Sequence, residues 1–207
     1  VRAYGDVPYF TEMVTTDQVN SLTRTPAQEI FNAIIAECDK LSTELPADYT
    51  KLGLDGIAPA ENGRVTCYAA LALKARAALY AASPLFNPEN NKDLWRRAAE
   101  ANKEVIETCT ANGFKLSKYS ELWGPNNWSN NEMIFVRRYN GNISTLEEYN
   151  FPMGVPGGNS GNCPTQNMVD AYEMKATGKM WNETGSGYDA SNPYAGRDPR
   201  FDMTIVK

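Results

Sequence analysis

Between Thr66 and Pro84 the chain reads CYAALALKARAALYAAS, with alanine at nearly every second position. Alanine has the highest helix propensity of any residue. The stretch therefore predicts a helix over 67–83, capped by Thr66 and ended by Pro84. Alanine side chains also stop at Cβ, so a neighbouring helix can approach closely. Such a helix is flanked on more than one side, which points to helices stacked on helices.

Two further helices supply the neighbours. From Pro26 to Leu45, the residues Phe31, Ile34, Ile35, Cys38, Leu41 and Leu45 recur at spacings of three and four. That is one apolar stripe, backed by Glu29, Glu37, Asp39 and Lys40. Thr25 reads as its N-cap, Pro26 as its first residue and Gln28 as the capping-box partner, while Pro46 closes it. Residues 47–63, with Gly53, Gly56, Pro59 and Gly63, read as a loop. A third helix is expected over Leu94–Ala111, capped by Asp93 and stopped by Gly113. Its apolar face carries Trp95, Ala98, Ala99, Asn102, Val105, Ile106 and Cys109. Residues 26–112 thus predict stacked helical hairpins. The starts at Thr25, Thr66 and Asp93 are unevenly spaced, so no strict repeat is evident.

After Gly113 the pattern changes. Phe114-Lys115-Leu116 and Met133-Ile134-Phe135-Val136 read as short strands. Between them lies a turn-rich loop holding Trp123 and Trp128 around Asn126 and Asn127. Residues 154–164 are rich in Gly, Asn and Pro and read as loop. Thr165 caps a short helix over 166–175. The stretch 176–199 has no periodicity and reads as a long functional or disordered loop. Phe201–Val206 alternates partly, like a strand cut short. The first ten residues are apolar and aromatic from Val1 onward, so both ends read as the interior of a longer chain. The expected fold class is mostly α, with a loop-rich, minor-β part over 113–207, in a single partial domain over 1–207.

Several function classes are excluded by composition. Lys and Arg total 20 against 25 Asp and Glu, a formal charge of −5. Nucleic acid needs a Lys/Arg-rich face. Histidine is absent, which removes Ser-His-Asp and Cys-His nucleophile systems and His-ligated zinc. Cys38, Cys67, Cys109 and Cys163 show no short metal-ligand spacing. No metal and no cofactor are expected. No apolar run reaches the 18 residues of a membrane span. Glu147-Glu148 raises the two-carboxylate chemistry of a glycosidase, but paired acids are common in an acidic chain and no enzyme is expected. Asn127-Trp-Ser, Asn142-Ile-Ser and Asn182-Glu-Thr match the N-glycosylation pattern.

Several stretches, in order and spacing, together resemble the SusD/RagB family of outer-membrane glycan-binding proteins. They are Val1-Arg2-Ala3-Tyr4-Gly5-Asp6-Val7-Pro8, the helix from Ala27 ending in Leu-Pro-Ala, and Gly63-Arg64-Val65-Thr66 leading into Ala69–Tyr80. Trp95 with Ala98-Ala99 and Val105-Ile106, and Asn131-Glu132-Met133-Ile134-Phe135, extend the match. Pro164–Met174 and Arg197-Asp198-Pro199-Arg200-Phe201 complete it. The resemblance implies tetratricopeptide-like helix pairs carrying an irregular ligand-binding part. It also implies a central section of a longer chain, a lipid anchor lying outside this sequence, and residence at the bacterial cell surface in the outer membrane. The function it implies is to hold oligosaccharide or polysaccharide for uptake through a partner TonB-dependent transporter, without catalysis. If the source is bacterial, the N-glycosylation patterns are coincidence. A helical-repeat protein–protein interaction module is the other class that the stacked hairpins allow.

Sugars present flat apolar ring faces edged by hydroxyls, so aromatic rings beside amides and guanidinium groups are the signature sought. Trp123 and Trp128 are one candidate place. Trp181, Tyr188 and Tyr194, among Asn182, Asp189, Asn192 and Arg197, are the other. The same rings also suit plugs beneath long loops. Arg64 and Thr66 read as a turn and a helix cap. Lys74 and Arg76 suit either pairing with acids or a solvated face. Cys38, Cys67 and Cys109 fall on three different helices as small apolar side chains. Titration of the denatured, unreduced chain is expected to find about four thiols; two or fewer would mean that an oxidising compartment has closed a bridge.

Overall fold

A computed structural model of the protein describes residues 1–49, 64–123, 130–136 and 149–206. The described residues form two compact units. The first comprises those of 1–117 together with 130–136, and the second comprises 118–123 with 149–206. The first unit contains α1 (Thr16–Val19), α2 (Ala27–Glu44), α3 (Cys67–Ala82) and α4 (Lys92–Ala111). The second contains a 3-10 turn (Tyr119–Trp123), α5 (Gln166–Asp170) and α6 (Phe201–Thr204). The fold is mostly helical. Among the described residues, extended pairing is limited to two isolated bridges, Val7 with Thr25 and Met174 with Arg197. No described helix is long and apolar enough to cross a membrane.

In the first unit α3 packs against both α2 and α4. Its Ala75, Ala77, Ala78, Ala81 and Ala82 are buried with Ala27, Phe31 and Ile35 of α2 and Ala98 and Ala101 of α4. Small side chains on both sides of α3 make this close approach possible. Phe31 meets the edge of Phe86 at 5.1 Å between centroids. The face expected of α4 is turned toward its alanines. Ala98, Ala101 and Cys109 are buried, whereas Ile106 is 65 % exposed and Trp95 is exposed as well. Against an Ala-lined neighbour the tight contact is made by the small residues, and the large ones lie outside it. On α3 itself, Leu73 and Leu79 remain exposed.

One cation ties the three helices together. Lys74 of α3 reaches Asp39 of α2 at 2.5 Å and Glu104 of α4 at 2.6 Å. Its side chain is mostly buried while both acids are about half exposed. Burial pulls the Lys74 pKa down, but the hydrogen bonds to Asp39 and Glu104 outweigh it and hold the pKa above the ordinary lysine value. Of the two readings of Lys74, pairing with acids is the one found.

The helix bodies fall where the periodicity puts them, but their starts are capped differently. Ala27 N–H donates to Asp6 Oδ1 at 2.7 Å, so α2 is capped from 21 residues away. Thr25 instead donates its N–H to Val7 O. Gln28 makes no capping box; its Nε2 donates to the carbonyls of Ala81 and Phe86, at 2.7 and 2.8 Å. α4 starts at Lys92 with Asn91 as its cap, accepting from Asp93 N–H at 2.9 Å. Asp93 pairs with Arg96. Thr66 precedes α3 as expected, yet its buried hydroxyl meets no hydrogen-bond partner among the described residues. α4 closes on Gly113 at φ +87°, where Gly113 N–H returns to Thr110 O and Phe114 N–H to Cys109 O, a Schellman stop.

That stop explains why the strand expected at 114–116 is absent. The N–H of Phe114 is used by the cap, and the N–H of Ser117 goes to the Glu132 carboxylate at 2.8 Å. One backbone bond remains, from Lys115 N–H to Asn131 O. No ladder forms, and 133–136 is likewise not a strand. Phe201–Val206 is also not a strand. Phe201 and Ile205, which look like alternate strand positions, are the i and i+4 residues of a helical turn, joined by Ile205 N–H to Phe201 O, and both are buried. The four cysteines are free, with Cys38 and Cys109 buried and Cys163 exposed. Desolvation pushes both buried thiols above the usual thiol pKa.

The alanine requirement is open to test. Ala78 is 2 % exposed in the α2–α3–α4 core. Ala78→Leu is expected to lower unfolding stability by about 1–3 kcal/mol through overpacking, read by urea denaturation. A neutral or stabilising result would show that α3 is loosely held.

Candidate functional site

The second unit is built around Phe201, which is fully buried beside Val169 and Ile205. Tyr172 meets its edge at 5.3 Å, and Tyr194 stacks on it at 5.9 Å with 22° between planes. Tyr194 is 44 % exposed, but this stacking contact commits it to the unit's own core. α5 begins as expected, with the Thr165 hydroxyl accepting from Met168 N–H, and ends early at Asp170.

The stretch read as a functional or disordered loop is a folded loop. It is closed at its base by Met174 N–H to Lys179 O, Lys175 N–H to Gly196 O and Asp198 N–H to Glu173 O, all at 2.8–2.9 Å. Inside it the Thr177 hydroxyl donates to Ser186 O and the Lys179 ammonium to Thr184 O. Met180 N–H donates to Glu183 Oε2. Ser186 is buried; its hydroxyl donates to Trp181 O at 3.1 Å and accepts from Tyr188 N–H at 3.2 Å. One hydroxyl thus joins the backbones that carry the two rings. Gly187 between them sits at φ +81°, a conformation that costs glycine little.

These bonds bring Trp181 and Tyr188 together. Their centroids lie 5.5 Å apart at 63°, edge to face, a favoured aromatic geometry. Both rings are half-buried. The guanidinium of Arg197 sits 5.1 Å from the Tyr188 centroid. Around the rings, Asn182 and Asp189 are exposed. Hydrogen bonds from the Ser191 hydroxyl and N–H hold the Asp189 carboxyl below its ordinary pKa.

Trp123 closes the 3-10 turn Tyr119–Trp123. Trp128, Asn126, Asn127 and the acidic pair Glu147-Glu148 lie outside the described residues. Sequence reasoning missed Ser186 altogether and read Arg197 only as a polar neighbour. It also missed a cleft of about 330 Å³ in the second unit, lined by Tyr119, Met168, Tyr172, Glu173, Asp198 and Arg200. The Asp-Pro-Arg triplet at 198–200 was the available signal. Asp198 accepts from Arg200 Nε at 2.8 Å and Nη2 at 2.5 Å, a fork–fork pair. Arg200 drives the Asp198 pKa down to about 2, and Asp198 in turn raises that of Arg200. In the first unit a cleft of about 340 Å³ is lined by Asp39, Lys74, Arg97 and Glu104. Lys74 is paired with Asp39 and Glu104, and Arg97 bonds Asn32, while Glu100 adds a further carboxylate to the lining.

A profile of the SusD family matches residues 126–207. A SusD-like protein of Formosa agariphila is 25 % identical over 223 aligned residues, which cover 98 % of this chain and 38 % of that protein. The crystal structure of a SusD-like carbohydrate binding protein from Bacteroides fragilis superposes with a TM-score of 0.72 at 26 % identity, over 98 % of this chain and 36 % of that one. A second SusD-like protein of the same organism gives a TM-score of 0.65 at 25 % identity, over 96 % and 38 %. The chain thus spans a little over a third of the length of these relatives.

The Asp198–Arg200 pair has a direct readout. A carboxyl whose pKa is depressed by folding adds stability above its unfolded value of about 3.9, and that stability is lost as the pH falls through the folded value. The Asp198 carboxyl carbon is expected to titrate by NMR near pH 2, where its ion pair with Arg200 sets it. Titration at the ordinary value of about 3.9 would show that the pair does not persist in solution.

Proposed function

We propose that this chain, which belongs to the SusD/RagB family, binds oligosaccharide through the aromatic pair Trp181 and Tyr188, with Trp181 as the stacking ring. The observation that carries the reading is the half-buried Trp181, held in a loop whose polar groups are bonded to one another. A sugar face stacks best on a ring already fixed in place, because little side-chain entropy is then lost on binding. Exposed Asn182 and Asp189 beside the rings suit the hydroxyls at a sugar's edge. The carbohydrate-binding relative of Bacteroides fragilis supports the same ligand class. Trp123 and Trp128 stand as the second candidate pair.

In this reading the chain is part of a lipid-anchored receptor on the outer-membrane surface. It hands glycan to a TonB-dependent transporter and does not cleave it. A neutral, hydroxyl-rich ligand suits a net-acidic chain, which would repel a polyanion.

Calorimetry against a panel of soluble neutral oligosaccharides tests the assignment. Base–aromatic stacking is worth roughly 1–3 kcal/mol per ring, and a sugar face gains no more. Trp181→Ala is therefore expected to weaken binding by about 5- to 150-fold, with helicity by circular dichroism unchanged. Unchanged affinity would move the site to Trp123 and Trp128. Lost helicity would make Trp181 a core plug. Release of reducing sugar would overturn the non-catalytic role, and no binding to any panel member would overturn the ligand class.

A further inference from the structure

We infer that Arg197 is a positioning residue for the ring pair: its buried guanidinium fixes the plane of Tyr188, and Tyr188 in turn fixes Trp181. The functional consequence rests on the reading of Trp181 as a glycan-stacking ring; the positioning itself does not.

Arg197 is 6 % exposed. A buried arginine is ordinarily paired with a carboxylate, because an uncompensated charge is costly away from water. Among the described residues no carboxylate forms an ion pair with Arg197. The nearby acids are engaged elsewhere, Asp198 with Arg200 and Asp189 with Ser191. Arg197 instead donates from Nε to Pro193 O at 3.0 Å and from Nη1 to Tyr172 O at 2.9 Å. Its backbone is pinned by the bridge to Met174, and the next residue by Asp198 N–H to Glu173 O.

Two carbonyls from separate segments therefore orient a rigid planar group, and a ring lies against it. Tyr188 is that ring, and it is the only ring a cation–π contact gives Arg197 among the described residues. A cation favours the ring face over the edge, so the fixed guanidinium selects the plane of Tyr188. The edge-to-face contact at 5.5 Å passes that orientation to Trp181. Lysine cannot substitute fully. An ammonium can reach two acceptors, but it has no plane to lay against a ring, which the guanidinium fork supplies.

The fluorescence test uses the full chain with Trp95→Phe, Trp123→Phe and Trp128→Phe, so that Trp181 is the sole tryptophan and is excited apart from the tyrosines, while binding is measured with those three tryptophans in place. Arg197→Met and Tyr188→Leu are each expected to shift Trp181 emission to longer wavelength and to raise its quenching by acrylamide. Arg197→Lys is expected to fall between wild type and Arg197→Met. The double variant should add little to either single one, since both break the same chain of contacts. Binding of the oligosaccharides found in the calorimetric panel should weaken by about tenfold in Arg197→Met, the scale of one desolvated cation–π contact.

An unmoved Trp181 signal in a folded Arg197→Met overturns the inference, even if affinity falls. Should Arg197→Met fail to fold, Arg197→Lys and Tyr188→Leu decide, and an unmoved signal in both overturns it. A signal that moves while affinity stays constant supports the positioning role and overturns the assignment of the glycan to Trp181, so the two failures are distinct.

Discussion

Two helices can flank a third closely only if the middle one carries little beyond Cβ on both contacting sides. α3 meets this condition with Ala75, Ala77, Ala78, Ala81 and Ala82, and the architecture of the first unit follows from it. Close approach brings Asp39 and Glu104, on helices either side of α3, within reach of one lysine. With longer apolar residues at those alanine positions, the acids would stand too far apart for a single ammonium to bridge. The ion pairs are thus a consequence of the packing. They add specificity of register to it, since sliding α2 or α4 by one turn would leave Lys74 half-satisfied in a mostly buried position. Gln28 acts the same way, fixing α2 against the carbonyls that end α3 and follow it.

The second unit is stabilised by different means. Among its described residues the regular elements are one turn or slightly longer, too short to be stable by helix propagation alone. Its order comes from side chains bonded to main-chain groups: Arg197 to two carbonyls, Ser186 to Trp181 and Tyr188, Lys179 to Thr184. Such bonds restrict φ, ψ and ring orientation at chosen points without requiring periodic sequence. That is why a stretch without periodicity carries fixed aromatic rings.

This contrast sets how much was readable in advance. Helix bodies in 26–112 were legible because the apolar spacing and the alanine content are local properties. The caps were not, because Asp6 acts on Ala27 from 21 residues away and Gln28 on Ala81 from 53. The strands at 114–116 and 201–206 were misread for a related reason. Short apolar runs look alike in strands and in helix-terminal turns, and the choice was made by where Phe114 N–H and Ile205 N–H find acceptors. At the candidate site, the rings and amides were legible as composition. Their arrangement was not, since it depends on a serine and an arginine whose partners are main-chain groups, and main-chain groups leave no trace in side-chain patterning.

The three concave or aromatic places differ in what they offer a neutral sugar. A ligand must better the contacts that water and the protein itself already make. In the first unit's cleft, Lys74 is satisfied by two carboxylates and Arg97 by Asn32, so a sugar would have to break charge-assisted bonds to enter. In the second unit's cleft, Asp198 and Arg200 are likewise bonded to each other in a fork. Trp181 differs from both. Its contacts to Tyr188 and, through its carbonyl, to Ser186 fix its position, and the residue is half-buried, not fully enclosed. Water gains little from an apolar ring face, so the surface that is least costly to cover is also the one held most firmly for a flat ligand.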